Sequence, residues 1–530
     1  MGKENSRTRN SILNIATGLG GQMIATVLKF VVRTVFIHTL GKSYLGINGL
    51  FSDILTMLSL TELGFDTAIN FKMYKPLAEG DDKRVRVLLK FYKQAYRVVG
   101  ATILCLGLAL MPFLPVLIKD YDSLETLGIN ATLIFGLHIM RQVSSYLFFA
   151  YRSSIMKTNQ KMYILDLVGF GITFLTNITK ILVLVFFKNF VLYTATVVLF
   201  NILQNLINAV IATKYYPQFF TPEEDKLSKD EVKGLLKDCG AVFIYKLNNV
   251  VIKATDNTVI SAFIGLVVVG LYSNYLLFYT TVNSFFDRIY TAVKASMGNL
   301  FAVESTEKKY AFFQIMNYLS VLLYGTAGVG VAVCADELIE RWLGADFVIL
   351  QPFAILMGTE ILFHGIKVNL GQIRNVSGVF RQMWFRPVIG VIINLGVSIT
   401  LVQFIGVYGV VIGTITADIF ANFLVDPRVI YKYSFNGFRP VSEYYLKNLL
   451  YLLTLVGLGA ANYWICGNFF TGHGWWSVIV HAMIVGITVP TAVILIFHRS
   501  HECQYVLKLM KKLRKKLLKK FKKKKGGKSK

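Results

Sequence analysis

The chain has 530 residues, with 56 Lys plus Arg against 30 Asp plus Glu, a net charge of +26 and a mean hydropathy of +0.54. Hydrophobic residues make up 54% and charged residues 16%, against about 25% charged in a soluble domain. This excludes a soluble globular enzyme and points to an all-α polytopic membrane protein.

A crossing needs roughly 20 mostly apolar residues, because a helix must satisfy its own backbone in lipid. In chain order the apolar stretches predict about 14 transmembrane helices: 11–39, 44–70, 97–118, 127–150, 163–187, 190–213, 240–263, 266–290, 311–335, 350–373, 385–405, 408–430, 446–467 and 475–498. The first is too long for a signal-peptide core, so no cleaved leader is expected. Asp81–Tyr96 alternates apolar and basic residues at helical spacing and is expected to lie along the inner membrane surface. Tyr215–Lys237 is the most polar internal stretch and reads as a linker.

The connections at 39–43, 119–127, 188–190, 336–349, 406–409 and 467–475 hold only Lys42, Lys119, Lys188 and Arg341 among their basic residues. The alternate set carries the rest, so that set and both termini are expected in the cytoplasm. Thr34-Val35, Leu40-Gly41 and Gly46 recur as Thr258-Val259, Ile264-Gly265 and Gly270 at one fixed offset. Such parallel repeats build many transporters. The expected organisation is a six-helix bundle over 1–213, a cytoplasmic linker over 214–239 and a second six-helix bundle over 240–435. Two accessory helices over 436–498 and a basic amphipathic tail over 499–530 complete it.

In that tail Val506, Met510, Leu513, Leu517 and Phe521 recur every three or four residues among lysines. The pattern suits anionic lipid, each basic residue adding about 1 kcal/mol near the surface. No nucleic acid is expected, because the chain lacks an aromatic platform or a reading motif. The five cysteines show no paired spacing and read as small hydrophobes.

A charge at mid-bilayer costs roughly 2.5–3.5 kcal/mol and therefore faces a cavity or a partner. Lys29 and Arg33 lie one turn apart, and Arg141, Lys253, His364 and Lys367 add further candidates for a cationic cavity, whereas Lys180 is expected to snorkel outward. Arg forks and Lys point charges suit a phosphate-bearing anion. Glu62, Asp66, Asp166, Asp256, Glu360 and Asp418 are candidates for ion pairing or for binding a coupling cation. No phosphate-binding loop or metal-ligand pattern is present, so neither cofactor nor catalytic residue is expected, and the protein is read as a non-enzyme.

The segments FVVRTVFIHTLGKSYLGINGLF (30–51), LSLTELGFDTAI (58–69), TDNTVISAFIGLVVVGLYSNYLLF (255–278), MGNLFAVES (297–305) and RWLG (341–344) resemble one particular family. It is the polysaccharide-transporter branch of the multidrug/oligosaccharidyl-lipid/polysaccharide flippase superfamily, in its Gram-positive form. The resemblance runs from about residue 8 to about 435. It implies two six-helix bundles around a cavity, alternating access, and a multi-pass plasma-membrane location. The implied substrate is an oligosaccharide on polyprenyl pyrophosphate, destined for capsule, exopolysaccharide or teichoic-acid-type glycans. Glycan polymerases or glycosyltransferases are the implied partners. Related lipid II flippases place first-span arginines in the cavity, and Arg33 is the matching position. The alternatives are a cation-coupled multidrug exporter of the same fold, a membrane glycan polymerase or ligase, and a scaffold for glycosyltransferases.

Overall fold

The computed structural model describes residues 24–511, except 60–64, 120, 148, 160, 222–224, 380, 384 and 470–473, and except some side chains, notably those of 241–253. The expectations for 11–23, Glu62, the Lys253 side chain and the lysine run after 511 lie outside the described residues.

The described chain is helical throughout and contains no strand. Nine described helices are long and apolar enough to cross a membrane: Asp82–Leu117, Met162–Phe187, Phe190–Tyr215, Thr306–Leu343, Phe353–Ser377, Arg386–Ile405, Val407–Tyr433, Val441–Phe469 and Trp475–Ile496. Ala131–Leu147 with Ala150–Thr158, bent by 44°, makes a tenth if taken as one span. All ten coincide with predicted spans. The other four predictions fall on the helix over 24–40, on Lys42–Leu58 with Phe65–Glu79, on Lys229–Phe263 and on Leu266–Val303. The first three of these helices are short, and the last two carry more polar residues.

Contacts divide the chain into two units. The first runs to Ser273 and includes Ile399–Val410; the second comprises Asn274–Ser398 and the chain from Val411 onward.

Within the first unit the two repeat-related hairpins meet face to face. Gly41 (φ 91°) and Gly265 (φ 128°) end one helix and start the next, in backbone that L side chains rarely adopt. A Cβ on Gly46 would strike the Leu266 carbonyl, and one on Gly270 would lie 2.5 Å from the Lys42 carbonyl. Positions 42 and 266 are repeat equivalents, as are 46 and 270. The contact is therefore pseudo-symmetric, and only glycine permits the backbones to approach so closely.

Asp81–Tyr96 does not form a separate surface helix. Asp81 caps a continuous 29-residue helix, Asp82–Leu110, which no proline interrupts. Its basic residues face the linker instead: Lys83 Nζ lies 2.7 Å from Asp225, and Arg84 pairs with Glu231. Glu231 also closes a capping box with Ser228 at the start of Lys229–Phe263. The Ser228 backbone N–H, then the Arg84 guanidinium, hold the Glu231 carboxyl down to about 2.

In the second unit Phe353–Ser377 is largely buried, whereas Val441–Phe469 and Trp475–Ile496 turn most of their apolar surface outward. Phe313, Tyr431, Phe435 and Tyr444 form one core cluster, and Tyr318, Tyr451, Val485 and Val493 belong to another. Cys503 and Val506 are buried in the latter, and Lys447 Nζ lies 2.5 Å from Glu502. The first turns of the basic tail are thus part of the folded unit.

Candidate functional site

One cation of the first unit stands on a tyrosine ring, and two more lie on helices packed against the helix of that tyrosine. Lys180 Nζ stands 4.8 Å from the centre of the Tyr193 ring, Phe36 of the Arg33 helix packs on the same ring, and the Arg141 helix packs against the helix of Tyr193. Phe36 and Phe190 pack on that ring, which fixes it. Arg33 comes from the helix over 24–40, Arg141 from Ala131–Leu147, Lys180 from Met162–Leu182 and Tyr193 from Phe190–Tyr215. Arg33 Nη2 donates to the Ser273 hydroxyl at 2.5 Å. Among the described residues no carboxylate lies within ion-pair distance of Arg141 or Lys180. Lys29 is exposed, one turn before Arg33.

The acids of this unit lie elsewhere. Asp66 accepts from Tyr92 (2.8 Å), Asn70 (3.0 Å) and Lys157 (3.3 Å), and with Asp166 it lines a polar cavity of about 520 Å³. Asp256 is buried and accepts from the Tyr272 hydroxyl at 3.3 Å. Asn257 donates to Asp53 at 2.5 Å, linking the first helix of the second repeat to the second helix of the first.

In the second unit cations and acids pair in a ladder. Lys367 Nζ lies 3.0 Å from Asp418, and Arg374 lies 2.7 Å from Asp426. Arg386 bridges Asp426 (3.4 Å) and Asn422, and Asn422 donates to Asp418 at 2.6 Å. These side chains are mostly buried, and the ladder staples Phe353–Ser377, Arg386–Ile405 and Val407–Tyr433 together. Asp418 and Asn422 sit on a π-helical stretch, Asp418–Phe423, whose wider turn redirects side chains from the α-helical register. His364 Nε2 lies 3.2 Å from Asp287, and Tyr324 donates to the same carboxylate at 2.6 Å. Glu360 is buried on the same helix.

The structure therefore places Arg33 and Arg141 on helices that pack against Phe190–Tyr215 and commits Lys367 to Asp418. Sequence reasoning missed Tyr193, Arg386 and Asp426. Arg386 and Asp426 fall near span ends, where a charge carries no penalty that would flag it; a tyrosine within an apolar run gives no signal at all.

The fold is that of solved membrane transporters. The lipid II flippase MurJ, in an inward closed conformation, matches with a TM-score of 0.57 at 15% identity over 92% of this chain and 99% of that one. An inward-facing multidrug resistance MATE family transporter of the MOP superfamily matches at 0.59 with 11% identity, over 79% of this chain and 98% of its own. The Vibrio cholerae MATE transporter VcmN matches at 0.52 with 13% identity, over 82% and 99%. No family model and no curated protein sequence matches the chain. The chain is thus an all-helical, multi-pass membrane protein that shares the fold of these solved structures.

Proposed function

We propose that the chain is a flippase that moves an oligosaccharide linked to polyprenyl pyrophosphate across the plasma membrane by alternating access, with both termini in the cytoplasm. The observation that carries this reading is that Arg33, Arg141 and Lys180 come from three helices of the first unit that pack against Phe190–Tyr215, with Lys180 on the Tyr193 ring. Three cations in an apolar surrounding attract an anion strongly, because the low dielectric hardly screens them. A pyrophosphate offers several oxygens to two guanidinium forks and one ammonium. The prenyl chain stays in lipid while the polar head crosses. The hairpins at Gly46 and Gly270 form the outer gate in this reading, which their close approach supports. The basic tail binds anionic lipid, and the cytoplasmic face receives glycan from glycosyltransferases. No covalent step is required, which suits a transporter rather than a polymerase.

Binding of geranylgeranyl pyrophosphate to the protein in nanodiscs tests the reading. A hydrogen bond to a charged group is worth about 1.5–3 kcal/mol. Arg33→Ala and Arg141→Ala should each weaken binding about 10- to 150-fold, and Arg33→Lys should restore only part. Unchanged affinity in both alanine variants would refute it. A cation-coupled multidrug exporter is the second reading, favoured by Asp66 and Asp166 in the polar cavity. It expects efflux of ethidium from cells that express the protein.

A further inference from the structure

The cavity lined by Asp66 and Asp166 differs in chemistry from the cationic cluster. Its volume of about 520 Å³ falls within the about 300–1,000 Å³ typical of small-molecule sites. Four amides, Gln142, Gln204, Asn205 and Asn208, share the wall with the hydroxyls of Ser145 and Thr173. Among the described residues Lys157 is the one cation in the lining, so carboxylates exceed cations there and an anionic group is disfavoured.

Two details mark a built recess. Asn208 is buried, and among the described residues its Oδ1 has no hydrogen-bond partner. A buried unpaired amide oxygen costs about 1–3 kcal/mol, which a donor from a ligand recovers. Gly169 stands so close to Gln204 that a Cβ would lie 3.2 Å from Nε2. The missing side chain thus leaves room for the Gln204 amide at the wall. Elsewhere the network is already committed: Ser144, Ser145 and Asn205 all donate to Asn201, which holds the wall rigid.

Amides and carboxylates on a rigid wall present donors and acceptors side by side, and adjacent ring hydroxyls of a sugar both donate and accept. The phenols of Tyr96 and Tyr146 add flat apolar faces beside them. From this we infer that the cavity is a saccharide subsite: it takes one or two sugar rings of the head group, apart from the cluster that takes the pyrophosphate. The inference rests on the proposed flippase reading.

Saturation-transfer NMR on the full-length protein in nanodiscs tests it, with lactose, maltose and N,N′-diacetylchitobiose as probes. Geranylgeranyl pyrophosphate affinity is measured in parallel. At least one disaccharide should receive saturation. Gln204→Ala and Gly169→Leu should reduce that transfer at least tenfold while leaving pyrophosphate affinity within twofold. Gly169→Leu blocks the recess and Gln204→Ala only trims it, so loss in both separates recognition from misfolding. If no disaccharide receives saturation while the pyrophosphate binds normally, the subsite is overturned and the flippase reading stands. If tetraphenylphosphonium alone binds, and Asp166→Asn abolishes that binding, the cavity is an organic-cation site and the inference fails. Disaccharide binding without pyrophosphate binding supports the subsite and refutes the cationic cluster as an anion site.

Discussion

Replacing Gly46 by alanine tests the outer gate most directly. The added methyl group would overlap the Leu266 carbonyl, which is backbone and cannot swing aside. Overpacking of this kind costs about 1–3 kcal/mol, and the hairpins must part to relieve it. Within its own helix, Lys42–Leu58, alanine is the better helix former by about 0.8–1.0 kcal/mol, so the helix itself is not weakened. The penalty falls on the hairpin contact alone and shifts the closed-to-open ratio by about 5- to 150-fold. Gly270→Ala meets the Lys42 carbonyl in the repeat-related place and should act alike. The double variant should cost less than the sum, because one separation relieves both clashes. The assay is crosslinking of a Ser43→Cys, Val267→Cys pair by a short bismaleimide in cells, since these positions are repeat equivalents on the two hairpins. The starting pair should link readily and stop export. Each glycine variant should slow linkage at least about fivefold, in line with the lower bound of that shift. Linkage at the starting rate in both variants would show that the hairpin contact does not hold the gate closed.

What the sequence discloses here depends on the range of the physics involved. Hydropathy acts over one span at a time, so predicted ends such as 163–187 and 475–498 fall within a few residues of Met162–Phe187 and Trp475–Ile496. The repeated glycines were legible because both copies answer to one steric demand, and the structure shows the two meeting each other. Arg33 was legible as an isolated charge in an apolar run. Its companions were only half so: a helical stripe places residues on one face but does not say what that face meets. Lys367 looked like a cavity cation because its partner Asp418 lies 51 residues away on another helix. Tyr193 became visible only once Lys180 was seen on its ring. The basic helix at 82–96 misled because amphipathicity is the same whether the polar face meets headgroups or carboxylates of the linker, and Asp225 and Glu231 decided it.

Asp426→Asn should lower the thermal unfolding midpoint markedly, since breaking a buried pair costs about 3–5 kcal/mol and both Arg374 and Arg386 lose the Asp426 carboxylate; an unchanged midpoint would remove the ladder as a structural staple. Glu231, held near 2, is depressed from an unfolded value of about 4.3. Its stabilisation is complete above the unfolded value and is lost as pH falls through about 2. Hydrogen exchange at the start of Lys229–Phe263 should therefore quicken, beyond its intrinsic pH dependence, between about pH 4 and 2, and Glu231→Gln should flatten that response. The last prediction concerns where the tail stops being structure. Glu502, Cys503 and Val506 belong to the folded second unit, and beneath them lie Tyr318 and Tyr451. Fully burying one valine is worth about 1.5–3 kcal/mol, and the Lys447–Glu502 pair is lost with it. A chain cut after Ser500 should therefore melt several degrees below the full-length protein. A chain cut after Lys511 keeps every one of these contacts and should melt with the full-length protein. It should still lose salt-sensitive binding to vesicles containing phosphatidylserine, because it lacks the lysines after position 511. Equal melting of the two truncations would mean that the 501–511 helix adds nothing to the second unit, and that the whole tail from 499 onward acts as a lipid anchor alone.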